Sequence, residues 1–164
     1  MAIEHMTADL PDSNVTVDFL LLADRAEALN GKLYMMGGAW DRLFLHDLNA
    51  PTLISLAVGV LVPWNQTNIQ HQLTVAIEDQ DGNPIDFRME AGFAAGRPPF
   101  AEQGERQRVI LALPAVPVQL PRFGTYVLRA DIQGQDSKRL EFRAVAVQPQ
   151  VGPMGLAGGM MPPV

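Results

Sequence analysis

The sequence predicts an all-β domain, an antiparallel Greek-key β-sandwich of seven or eight strands. Three observations predict it. Apolar and polar residues alternate with a period of two along most of the chain, the pattern of strands with one buried and one wet face. Turn-forming groups such as Asn30-Gly31, Asp81-Gly82-Asn83-Pro84 and Gln133-Gly134-Gln135-Asp136 punctuate those runs. A chain of 164 residues with 48 % apolar content can bury one core, and it shows no repeat and no second apolar block.

Taken in order, Val15–Ala23 is apolar on both sides, with Asp18 and Asp24 as polar punctuation. Asp24–Leu29 carries helix formers, but so short a helix is marginal alone. The Asn30-Gly31 pair that follows readily supplies the two positive φ angles of a type I′ hairpin, so this stretch reads as an extended arm returning through Lys32–Met36. Gly37-Gly38 offers a bulge or sharp bend that places Trp40. Leu53–Val62 is apolar on both sides, as a central strand would be.

From Ile69 to Asp79, Ile69, Leu73, Val75 and Ile77 alternate with Gln70, Gln72, Thr74 and Glu78, and His71 falls on the apolar side. The turn at Asp81–Pro84 then launches Ile85–Met89. Arg106–Leu113 is a further strand and Val116–Leu120 a short piece. Pro114, Pro117 and Pro121 cannot all join a ladder, which puts this region at a sheet edge. Tyr126–Ile132 and Leu140–Ala146 alternate most regularly and close the chain. Residues 15–147 therefore form the domain. Residues 1–14 read as a flexible head, and 148–164, uncharged and rich in Gly, Pro and Met, as a disordered tail.

The ending Phe123-Gly124-Thr125-Tyr126 with its two alternating strands resembles the closing hairpin of immunoglobulin-like sandwiches. Asp18–Leu43, Val62–Asn68, Glu78–Ile85 and Gly124–Gly134 resemble a family of uncharacterised bacterial proteins grouped as a domain of unknown function. That resemblance spans about residues 15–147 and implies one β-rich domain. It brings no activity and no catalytic residue.

Composition excludes more than it proposes. Without cysteine there is no disulfide, thiolate zinc site or cysteine nucleophile. Twelve basic against eighteen acidic residues, net −6, argue against nucleic acid as a partner. The longest apolar run, Leu53–Pro63, falls short of the roughly 20 residues of a membrane-spanning helix. The first fifteen residues lack the basic start and apolar stretch of an export signal, so a cytoplasmic location is expected.

Ser13, Ser55 and Ser137 belong to no nucleophile elbow, and His5, His46 and His71 match no metal-ligand spacing. The expectation is no enzyme and no cofactor, with a carboxylate-based hydrolase the only enzymatic alternative.

Three groups remain as binding candidates. Trp40 and Trp64 are the aromatics a sugar-binding sandwich presents, and equally the aromatics a core needs. The loop Ala91–Glu105 holds Phe93, Arg97 and Phe100, residue types that anchor protein interfaces or fold back to cap a sandwich. Asp79 and Asp81, joined by Asp131 and Asp136 if both turns lie at one end, would offer calcium a cluster of carboxylates. The same residues are also what turns are made of, and Pro84 stands where an EF-hand needs glycine. The leading expectation is a non-enzymatic binding or assembly module with a protein partner, or a homo-oligomer built through an open sheet face or edge. The alternative is a small-ligand binder for carbohydrate or calcium.

Overall fold

A computed structural model describes residues 14–133 and 137–148. Among these the chain is all-β, with nine strands and no α-helix: β1 (Thr16–Leu29), β2 (Lys32–Gly38), β3 (Arg42–Leu45), β4 (Thr52–Val62), β5 (His71–Asp79), β6 (Pro84–Phe93), β7 (Gln107–Val118), β8 (Gly124–Ile132) and β9 (Ser137–Ala146). A single 3₁₀ turn, Trp64–Gln66, follows β4. The strands form two sheets, of order β2-β1-β4-β7 and β3-β9-β8-β5-β6, and the five-stranded one curls into a half-barrel. All pairs are antiparallel except β3–β9.

The core lies between the sheets. Leu20, Leu22, Ile54, Leu56, Val58 and Val60 of the four-stranded sheet meet Leu73, Val75, Ile77, Tyr126, Leu128, Ile132 and Phe142 of the other. Removal of this apolar area from water is the main favourable term in folding. Tyr126 carries a polar atom into it and satisfies that atom locally. Its hydroxyl donates to the Arg122 carbonyl (2.8 Å) and accepts from the Arg122 N–H (3.3 Å), while its ring stacks on Phe142 at 5.7 Å.

Several expectations are corrected. The strand count is nine rather than seven or eight, because the four residues of β3 pair in parallel with Arg143–Ala146. A strand so short has no period of its own to read, and its partner lies a hundred positions on. Arg106–Leu113 and Val116–Leu120 merge into β7, whose ladder shifts register opposite Ile54/Leu56 where Ala115 takes φ 50°. Ile69 precedes β5 and is half exposed, whereas Ala91–Phe93 belong to β6, so the long loop runs from 94 to 106.

Asp24–Leu29 is strand, and Asn30 and Gly31 turn the hairpin with φ 51° and 70°. The expected head (1–14, except Asn14) and tail (148–164, except Gln148) lie outside the described residues.

Candidate functional site

The loop 94–106 is tied to the 3₁₀ turn by one arginine. The Arg97 guanidinium lies 4.4 Å over the Trp64 ring, donates to the Trp64 carbonyl (2.8 Å) and donates to the Thr67 hydroxyl. That hydroxyl in turn donates to the Trp64 carbonyl at 2.7 Å, and the Asn68 N–H donates to the Ala95 carbonyl. Thr67 is buried, so these bonds occupy polar groups that water does not reach freely. Phe93 is buried against His71, ring centroids 5.4 Å apart. The structure thus brings Trp64, Phe93 and Arg97 together as a clasp closing one end of the molecule. Phe100 alone stays out, 83 % exposed.

Trp40 is half-buried. It packs on the core edge-on to Phe142 at 6.4 Å, with its Nε1 sealed from solvent and without a hydrogen-bond partner. The ring thus contributes packing to the core.

The acidic set divides. The Asp79 carboxylate accepts from the N–H groups of Asp81 and Asn83, both at 2.9 Å, from the Asn83 amide, and from Arg122 at 3.0 Å. The Asn83 N–H above all, then the Asn83 amide, the Asp81 N–H and Arg122, hold its carboxyl below the ordinary value of 3.8, against partial desolvation. Asp131 pairs in register with Thr74 and Asp79 with Tyr126, at opposite ends of the β5–β8 ladder. Asp131 is bonded to Arg129 at 2.7 Å, and Asp136 lies outside the described residues. The condition that both turns lie at one end, under which Asp131 and Asp136 would join Asp79 and Asp81, is therefore not met. Among the described residues no three His, Asp or Glu side chains are grouped so as to hold a metal ion.

A different feature stands out, in the contrast between the two outer faces. The outer face of the five-stranded sheet is a lattice of ion pairs: Arg129–Glu78 (2.8 Å), Arg129–Asp131 (2.7 Å), Arg139–Glu78 (2.7 Å) and Arg88–Glu90 (2.8 Å). On the four-stranded sheet the outer face is apolar. Ala23, Ala26 and Ala57 are covered by Phe19, Leu21, Leu33, Met35 and Ala112, and these covering side chains are only partly buried. Phe19 lies against Gly59, where a β-carbon would come within 2.1–2.7 Å of three of its ring atoms. Arg108–Asp18 (2.9 Å) marks the margin.

Beyond this face β1 continues as an arm. Thr16–Ala23 pairs with β4, but from Arg25 onward β1 pairs only with β2. The hairpin exposes Leu29 (59 %), Tyr34 (53 %) and Met36 (69 %). The two-sided apolarity of Val15–Ala23 and Leu53–Val62 was the signal for the face. Which partner covered the second side was not readable from it.

Fold and site together define a β-rich domain whose most distinctive surface is apolar. No helix among them is long and apolar enough to cross a membrane. Residues 18–145 match DUF6941, a family of unknown function, and the chain belongs to that family. No curated protein matches it.

Proposed function

We propose that the protein is a non-enzymatic binding or assembly module that acts through the outer face of the β2-β1-β4-β7 sheet. The observation that carries this reading is the contrast of faces: ion pairs cover one sheet, whereas Phe19, Leu21, Leu33 and Met35 cover the other. A contiguous apolar patch on a soluble domain marks an interaction surface. The clasp at Trp64–Arg97 fits a scaffolding role for the loop, leaving Phe100 as its sole exposed anchor.

We further read the scaffold as a Greek-key, immunoglobulin-like sandwich. Supporting this, β4 pairs with β7 in one sheet and β5 with β8 in the other, so β4–β5 and β7–β8 both cross between sheets. The Tyr126 hydroxyl bonded back to the Arg122 carbonyl has the form of a tyrosine corner.

The test compares Leu21→Glu, on the apolar face, with Arg139→Glu, on the ion-paired face, after circular dichroism has verified folding of both. Association, whether with itself or with a captured partner, is lost in Leu21→Glu and kept in Arg139→Glu. Equal association by both variants overturns the reading.

A further inference from the structure

The ion-pair lattice of the five-stranded sheet stops short of one corner. On that outer face Arg88, Arg129 and Arg139 each meet a carboxylate, whereas the exposed Arg42 and Arg143 have no ion pair and no side-chain hydrogen bond among the described residues. Yet these two are partners in the β3–β9 register, with backbones about 4.8 Å apart. Like charges directly opposed across a strand pair are destabilising, so the fold carries this juxtaposition at a cost. Asp41 and Glu141 border the pair, but neither comes within ion-pair distance of it.

The two arginines line a groove of about 530 Å³ together with Phe44, Phe123 and Val145. Alternation explains the arrangement. In β3, Leu43 and Leu45 pack on the core, which turns Arg42 and Phe44 outward. In β9, Phe142 and Ala144 are buried, which turns Arg143 and Val145 outward. Phe44 pairs in register with Val145, and Phe123 lies on the other side of β9, one residue before the Gly124–Ala144 pair. Two exposed rings therefore flank Val145 at two strand spacings, about 9.6 Å at the backbone. That spacing admits one planar ring stacked on both, since stacked rings sit about 4.5–7 Å apart.

We propose that this groove binds a small aromatic phosphate monoester, its ring between Phe44 and Phe123 and its phosphate on Arg42 and Arg143. A phosphate monoester carries a charge of about −1.5 to −2 at pH 7, which matches two guanidiniums as a single carboxylate does not. Guanidiniums also present forked N–H donors to phosphate oxygens. The groove has the volume of a small-molecule site, about 300–1,000 Å³. The net charge of −6 does not oppose it. No carboxylate lines the groove, and charges beyond about 8 Å are largely screened at physiological ionic strength. The site lies on the opposite sheet from the apolar face and stands independently of the assembly reading.

Two-dimensional amide NMR on the full chain, titrated with phenyl phosphate at about pH 7, tests this. Saturable shifts are expected at Arg42, Phe44, Arg143 and Val145, with a Kd at or below about 1 mM. Arg143→Gln weakens binding at least about tenfold and Phe44→Ala at least about threefold. Arg88→Gln, at the far edge of the same sheet, leaves it unchanged. Each variant's spectrum reports its folding, and Arg42→Gln replaces Arg143→Gln if the latter does not fold.

Inorganic phosphate, which lacks the ring, binds at least about threefold more weakly than phenyl phosphate. Benzyl alcohol, which lacks the charge, binds at least about tenfold more weakly. Absence of saturable shifts at these residues, or equal binding by wild type and Arg143→Gln, overturns the site. Inorganic phosphate binding as tightly as phenyl phosphate overturns the aromatic ligand, and benzoate binding as tightly overturns the dianion.

Discussion

Replacing Tyr126 by phenylalanine removes one oxygen from the core and leaves the ring where it is. The ring's stacking on Phe142 at 5.7 Å survives, so no cavity larger than a hydroxyl is made. What is lost is a hydrogen bond to the Arg122 carbonyl at 2.8 Å and another from the Arg122 N–H at 3.3 Å. Each contributes about 1 kcal/mol net, and the orphaned groups of Arg122, at an exposed residue, are partly rehydrated, which keeps the cost near the sum. The expected loss is therefore about 2 kcal/mol, which for a domain of this size lowers the melting temperature by roughly 4–8 °C. Thermal melts and urea titrations read it, with the urea slope unchanged because the buried area is unchanged. A midpoint within about 1 °C of wild type would refute the argument that this corner is a structural lock between β7 and β8.

Gly59→Ala puts a β-carbon 2.1–2.7 Å from three atoms of the Phe19 ring and should cost about 1–3 kcal/mol. Phe19→Ala should relieve most of that penalty, and a double-mutant cycle without coupling would disprove the contact. The depressed pKa of Asp79 means its stabilising contribution is complete above the ordinary value of 3.8 and is lost as pH falls through the lower folded value. Asp79→Asn should accordingly flatten the acid limb of the stability profile between 3.8 and that lower value, and an unchanged limb in this variant counts against the account. Arg97→Ala should raise amide exchange across residues 94–106 and alter Trp64 fluorescence. Arg97→Lys should only partly restore the wild-type pattern, since it keeps the cation but not the planar fork; full restoration would mean that charge alone holds the loop.

Strands β1, β4, β5, β8 and β9 were legible because their alternation, or its absence in β1 and β4, reports local burial directly. Chain order alone does not reveal partners a hundred residues apart, which is why β3 escaped. The binding candidates show the same limit from another side. Trp64 and Arg97 were both singled out, each separately and each for an outside partner or for packing, and they bind each other across 33 positions. Asp79 and Asp131 would form one cluster only if two turns shared an end, and one antiparallel pairing separates them. The candidate face was half visible: two runs apolar on both sides told of a second buried surface, without saying that only small alanines would be fully covered there.

By itself, then, the sequence determined the all-β class, the Asn30-Gly31 hairpin and the place of β7 at an edge. These follow from φ preferences, missing N–H donors and period-two burial, all properties of a residue and its near neighbours. Tertiary structure alone decided which outer face is charged and which apolar, and whether an aromatic or carboxylate is engaged within the fold. Those depend on register, and a shift of one residue along a ladder turns every side chain to the opposite face.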